Sequence, residues 1–197
     1  MKTVWTLLCG ALLLLSGCTT VPQTQFYTLE STAPALEKAS STLTLAIGPI
    51  DLPEFLDRPQ MVLRDGNNRL LFDEFHRWGG ALDQEIERVL AGRLAAQLGT
   101  QRIYGYPSRI VANSDYRIAL DIRAFDGNLD GTVQLDVAWS LIDDRSAAVL
   151  DVQRASYREA VTQPEHAAYA AALGQLLERL GEDLARAVEA TAGGPSE

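Results

Sequence analysis

Cys18 is the residue whose chemistry the sequence predicts most clearly. Lys2 and the apolar stretch Val4 to Leu15 have the layout of a secretory signal, and this stretch is too short for an ordinary transmembrane helix. The run Leu15-Ser16-Gly17-Cys18 then matches the lipobox, at which bacteria cleave the signal before a cysteine that receives acyl chains. The alternative is a plain secretory signal followed by an incidental cysteine. Because two or three acyl chains hold a protein stably on a membrane, the lipobox predicts a lipid-anchored chain.

The segment from Gly48 to Pro59 is a candidate docking site. Its three prolines stiffen it and disfavour a helix or a central strand, although several of its side chains are apolar. These side chains either seal the edge of the core or form a rigid surface that contacts a partner, and the sequence leaves both interpretations open. The candidate partner-binding residues are Leu52, Pro53, Phe55, Leu56, Arg58 and Pro59.

Catalytic and metal-binding chemistry have weaker candidates. The chain has no nucleophile elbow, phosphate loop or dinucleotide fingerprint. His76 stands among large apolar residues, where we expect packing, and His166 falls in the first turn of a predicted helix, where we expect it to be solvated. The run from Asp126 to Gly131 matches the start of a calcium EF-hand loop, but Val137 occupies the position of the final Glu. We therefore predict no catalytic residue, no metal and no cofactor.

Composition limits the class of protein. The chain has 197 residues, of which 47% are hydrophobic, and a formal net charge of −9. This length suits one domain with a real core, and the acidity argues against nucleic-acid binding. The expected organisation is a signal peptide at 1–17, a lipidated tether at 18–24, one domain at 25–192 and a flexible tail at 193–197.

The hydrophobic periodicity predicts an α+β fold. Strands are predicted at 25–29, 42–47, 60–64, 69–72, 101–104, 116–124, 133–141 and 148–160, and the last three form an antiparallel meander with Trp139 facing the core. Helical spacing predicts one helix that Gly99 ends and another that begins at a capping box of Thr162 and Glu165. We expect a largely antiparallel sheet with both amphipathic helices packed on one face.

Several motifs, in this order, resemble the PqiC (YmbA) family, also called ABC-type transport auxiliary lipoproteins. The motifs are Phe26-Tyr27-Thr28-Leu29 soon after Cys18, the loop Ile50 to Gln60, Glu74-Phe75-His76-Arg77-Trp78, Asp115-Tyr116-Arg117-Ile118, Phe125-Asp126-Gly127, and Leu135 with Trp139. The resemblance extends over nearly the whole chain after the signal.

The resemblance implies a non-enzymatic role in lipid transport. It implies a homo-oligomeric lipoprotein of the outer membrane that faces the periplasm, supports envelope integrity and works with an MCE-domain protein and its inner-membrane transporter components. It also implies lipid attachment at Cys18. The alternative function is a carrier that holds a hydrophobic ligand in its own cavity, and a periplasmic hydrolase is a weaker one. A carrier needs an apolar cavity of hundreds of Å³, on the order of those found in ligand-binding proteins.

Overall fold

The computed structural model describes residues 22–193, except 37, 67, 109, 111 and 112. The predicted signal peptide, Cys18, the first part of the tether and residues 194–197 of the tail lie outside the described residues. The elements are β1 (Gln25–Tyr27), β2 (Leu45–Asp51), β3 (Gln60–Arg64), β4 (Leu70–Trp78), α1 (Leu82–Leu98), β5 (Ile103–Gly105), β6 (Tyr116–Gly127), β7 (Thr132–Asp143), β8 (Ala148–Ala160) and α2 (His166–Ala192).

The meander of β6, β7 and β8 confirms the strongest periodic signal in the sequence. β6 pairs antiparallel with β7, and β7 pairs antiparallel with β8. Alternate residues of β6 and β7 are buried, and Trp139 is 3% exposed, so it faces the core as predicted. The period-two pattern is explained by this one-sided burial.

The prediction of a largely antiparallel sheet is wrong. Among the described residues, seven strand pairings form one eight-stranded mixed sheet, and four of the seven are parallel: β1 with β4, β2 with β5, β2 with β6, and β3 with β6. The connection from β2 to β6 contains β3, β4, α1 and β5, and a connection of this length permits parallel pairing. Periodicity reports burial within a strand and carries no information about such non-local partners.

Both β2 and β3 pair with β6, and a loop connects β2 to β3. The chain advances twelve residues from Asp51 to Leu63, while β6 advances six from Asp121 to Gly127. The extra residues form only Leu52 to Pro59 of the predicted docking segment, since Gly48 to Asp51 belong to β2 between β5 and β6, where a central strand was not expected. This loop is therefore an excursion from the side of the sheet, held at both ends by pairing with one strand.

The two helices pack against each other and against the sheet, with α1 contacting β2 and β5 and α2 contacting β6, β7 and β8. Helix α1 ends at Gly99 in the left-handed conformation, as predicted. Gly181 of α2 lies close to Arg93 of α1, because a Cβ atom at position 181 would lie 2.7 Å from Arg93 Cγ. The capping-box prediction is wrong, since α2 begins after Glu165 with no side-chain cap.

Candidate functional site

The predicted docking residues lie together in the loop between β2 and β3. The carbonyl oxygen of Pro53 accepts hydrogen bonds from the Leu56 and Asp57 amides at 2.8 and 3.3 Å. At its end, the carbonyl oxygen of Pro59 accepts a bond from the Trp78 amide at 2.7 Å. Prolines that fix the backbone and these local bonds make the loop a defined turn.

The apolar side chains of this loop point largely into the protein. Leu56 is 2% exposed, and Leu52 and Phe55 are partly buried against the core. Packing of this kind corresponds to the sealing interpretation for these three residues. This packing also fixes the backbone beside Arg58, the polar residue among the six candidate partner-binding residues.

Arg58 connects the loop to exposed apolar residues of β4. Its guanidinium carbon lies 3.9 Å from the centroid of the Phe72 ring, a cation–π contact. Leu71, Phe72 and Phe75 are 43%, 40% and 42% exposed. We call Arg58, Leu71, Phe72 and Phe75 the β4 surface, in which Leu71 and Phe72, as neighbours in a strand, point to opposite faces of the sheet. Its apolar members were not predicted as a contact surface, although the consecutive run Leu70-Leu71-Phe72 breaks the polar alternation expected of a strand with one exposed face.

A bulge in β4 contains Phe75, the last residue of this surface. Met61 pairs with Asp73, but the neighbouring Gln60 pairs with Arg77, so three residues of β4 lie outside its ladder with β3. The Asp73 carboxylate accepts hydrogen bonds from the amides of Phe75 and His76 at 3.0 and 3.2 Å and so stabilises the bulge.

The bulge also assembles a polar cluster that the sequence did not predict. His76 Nδ1 lies 2.9 Å from Asp73 Oδ1, and His166 Nε2 lies 2.9 Å from Asp73 Oδ2. The two imidazole rings stack with centroids 3.5 Å apart and planes 1° apart. The expectation that His166 is solvated is wrong, because its side chain is 14% exposed and binds Asp73.

Electrostatics within the cluster follow from its partial burial. Loss of solvent lowers the pKa of His166, and the nearby charge of His76 lowers it further, against the opposing effect of Asp73. Partial burial alone would raise the pKa of Asp73. Contact with His76, the Phe75 amide and the charge of His166 outweigh that effect, so this pKa lies below its usual range.

The calcium-like run is occupied by an ion pair. Asp126 Oδ1 and Oδ2 accept hydrogen bonds from Arg64 Nε and Nη2 at 2.6 and 2.8 Å, and Gln134 Nε2 lies 3.3 Å from Oδ1. Strands β6 and β7 flank the run, as the sequence analysis expected. The guanidinium group of Arg64 therefore occupies the position beside Asp126 that a bound calcium ion would need.

The grooves of the molecule bear on the carrier alternative. A groove of about 610 Å³ lies between β8 and α2, and its lining includes Asp151, Arg154, Asp183 and Arg186. Charged side chains of both signs suit water better than a lipid chain. This groove therefore gives the carrier function no support.

Comparison with known families identifies the chain. Residues 27–185 match the family described as ABC-type transport auxiliary lipoprotein component. The chain belongs to this family. Membership in the ABC-type transport auxiliary lipoprotein family confirms the resemblance found in the sequence and makes the chain a membrane-anchored lipoprotein that associates with ABC-type transport systems. The family description names a transport component, which implies a non-enzymatic role.

Two solved structures share the fold of this family member, and a third is less similar. A structure of an uncharacterized protein has a TM-score of 0.69 and 15% identity over 84% of this chain and 99% of that one. Protein XCC0632 from Xanthomonas campestris has a TM-score of 0.67 and 16% identity over 82% and 93%. A PelC dodecamer from Paraburkholderia phytofirmans has a TM-score of 0.46 and 14% identity over 79% and 91%. No curated protein matches the sequence. None of the described helices is long and apolar enough to cross a membrane.

Proposed function

We propose that this lipoprotein docks an MCE-type intermembrane lipid transporter at the periplasmic face of the outer membrane and so supports envelope integrity. Membership in a family of transport auxiliary lipoproteins supports an adaptor role. The motifs shared with PqiC lipoproteins support an MCE-domain protein and its inner-membrane components as the partners. We also propose that the chain self-associates, as the same resemblance implies.

The observation that carries the proposal is the β4 surface beside the predicted docking loop. Arginine and aromatic residues are the types enriched at binding hot spots, and here Arg58 stacks on Phe72 next to exposed Leu71 and Phe75. Because the loop is held by Leu56 in the core, Arg58 is presented without the entropy loss of ordering a free loop. In this proposal Leu52, Pro53, Phe55, Leu56 and Pro59 position the contact, and Arg58 and the β4 residues make it.

The tether supports a position close to the membrane. Residues 19–24 separate Cys18 from β1, and six extended residues span at most about 20 Å. Strand β1 is paired with β4, with Gln25 opposite His76 and Phe26 opposite Arg77. The β4 surface therefore lies one strand away from the point at which the tether joins the sheet.

Removal of half-buried Arg58 and exposed Phe75 from the surface should weaken docking while the protein stays folded. We expect Arg58→Ala with Phe75→Ala to weaken capture of the MCE protein, self-assembly or both by at least about tenfold, since hot-spot truncations exceed about 2 kcal/mol. The unfolding free energy should fall by no more than about 1 kcal/mol, because Phe75 is exposed and the lost cation–π contact is weak. Native mass spectrometry and pull-down measure binding, and thermal melts measure stability.

The matched control is Val149→Ala with Val152→Ala, which removes exposed apolar groups from β8. This control should bind and assemble as the wild type does. Unchanged capture and assembly in the Arg58 and Phe75 variant would contradict the docking proposal. A wild-type monomer that retains lipid in native spectra and binds no partner would favour the carrier instead.

Replacement of Cys18 should abolish anchoring. We expect Cys18→Ala to give an uncleaved or soluble protein absent from outer-membrane fractions, because no acylated residue remains. Cys9→Ala, within the predicted signal, should fractionate normally. Sedimentation of Cys18→Ala with outer membranes would contradict lipid attachment at this residue.

Thr19 provides a separate test of whether the protein is held in the inner or the outer membrane. An Asp after the acylated cysteine favours inner-membrane retention in enterobacterial sorting, and this chain has Thr19 instead. We expect Thr19→Asp, expressed in an enterobacterial host, to move from the outer-membrane to the inner-membrane fraction on a density gradient. A wild-type protein already found in the inner membrane would contradict the proposed location and leave the acylation of Cys18 unaffected.

A further inference from the structure

We propose that Asp73, His76 and His166 bind a divalent transition-metal ion of the zinc class. The site joins the bulge of β4 to the first residue of α2, and family membership assigns no metal to it. It departs from our prediction of no metal site. The structure brings both histidines to one carboxylate.

The donor set and its spacing fit such an ion. One nitrogen of each histidine and one carboxylate oxygen all lie within 4.8 Å of one another. Imidazole nitrogens suit zinc, nickel, copper and iron, whereas calcium and magnesium prefer oxygen ligands. Three protein ligands with one open position is the arrangement of many zinc sites that also hold water.

To receive the ion, the two imidazole rings must turn out of their parallel stack, because an imidazole binds a metal in the plane of its ring. Zinc bonds of about 2.1 Å in a tetrahedron place neighbouring ligand atoms about 3.4 Å apart. Here His76 Nδ1 lies 2.9 Å from Asp73 Oδ1, and His166 Nε2 lies 2.9 Å from the other oxygen, Oδ2. A separation greater by about half an ångström is within reach of rotation of the partly exposed side chains.

The nitrogen of His76 is positioned as a ligand without a competing partner. Although Nδ1 lies 2.9 Å from Asp73 Oδ1, it is buried and makes no well-directed hydrogen bond among the described residues. A neutral imidazole nitrogen in this position has a lone pair available for a cation. His166 Nε2 lies 2.9 Å from Oδ2, the other oxygen of the same carboxylate.

Neighbouring groups hold the ligands in place. The Phe75 and His76 amides donate hydrogen bonds to Asp73, and the Tyr27 ring lies 5.9 and 6.1 Å from the two imidazole rings. Groups that orient ligands in this way are a regular part of metal sites. The competing interpretation is a metal-free polar bridge, in which Asp73 alone links the two histidines.

Zinc binding to the full, untagged lipoprotein in detergent separates the two interpretations. A histidine tag is omitted because both histidines of the chain belong to the cluster and a tag would add ligands. After removal of bound metal by a chelator, we expect equilibrium dialysis with zinc chloride and excess magnesium to give one tightly held zinc per chain. Zinc should raise the melting temperature, and cobalt should give visible absorption of a low-coordinate site.

Ligand substitutions make the assignment specific. His166→Gln and Asp73→Asn should each weaken zinc binding by at least about tenfold. The matched control Asp121→Asn removes an exposed carboxylate of β6 and should bind zinc as the wild type does. Wild-type protein that binds no zinc, or binding that both ligand variants retain in full, would overturn the proposal. If a variant fails to fold, the zinc binding of the wild-type protein still tests the proposal.

Discussion

A Trp139→Ala protein is expected to lose about 3–5 kcal/mol of unfolding free energy. Trp139 is 3% exposed in the middle of β7, where it pairs with Leu120 of β6 and Gln153 of β8. Truncation removes a large buried ring, and the surrounding strands, which pair on both sides, can close the cavity only in part. Chemical denaturation with fluorescence or circular dichroism measures this loss. The melting temperature should fall by about 6–20 °C for a chain of this length.

A matched control on the neighbouring strand tests whether burial is the cause. Val152 of β8 is 65% exposed, so Val152→Ala should change the unfolding free energy by less than about 0.5 kcal/mol. A Trp139→Ala protein with the denaturation midpoint of the wild type would show that the register of β7 is wrong. Equal losses in both variants would show that the outer face of β8 is covered in solution.

The parts of the fold that could be predicted are those recorded locally in the sequence. Trp139 alternates with polar neighbours because β7 has one buried face, so its orientation follows from periodicity alone. The pairing of Asp51 with Asp121 has no local signature, because it depends on the path of the chain between β2 and β6. The antiparallel pairings of the meander were therefore predicted correctly, whereas the largely antiparallel pairing expected for the whole sheet was wrong.

The same distinction separates the predicted site from the missed one. Cys18 is recognised from the residues directly before it, because the signal peptidase also acts on a short linear segment. His76 and His166 are ninety positions apart, and only the β4 bulge and the start of α2 bring them together. Each histidine by itself is typical of packed or solvated residues, so no local pattern could have paired them.

The docking loop lies between these cases. Its prolines and apolar residues predicted an unusual segment, but the sequence left sealing and contact as alternatives. In the structure, different residues of the loop have different surroundings. Leu56 is buried in the core, and Arg58 stacks on exposed Phe72. One loop therefore contributes to the core and also carries a cation–π contact outside it, which is why substitutions must be chosen residue by residue.

Arg64→Met is expected to destabilise the protein by about 3–5 kcal/mol, because it leaves the carboxylate of Asp126 buried without a cation. The Asp126 side chain is 0% exposed and accepts bonds from Arg64 Nε and Nη2 at 2.6 and 2.8 Å. Arg123→Met is the matched control, because Arg123 and Asp121 form an exposed pair at 3.4 Å that should contribute less than about 1 kcal/mol. Replacing both partners, Arg64→Met with Asp126→Leu, should recover part of the loss, since the unpaired charge is then gone. Denaturant unfolding of the three variants measures these differences, and an Arg64→Met protein no less stable than Arg123→Met would show that Asp126 is accommodated without its partner.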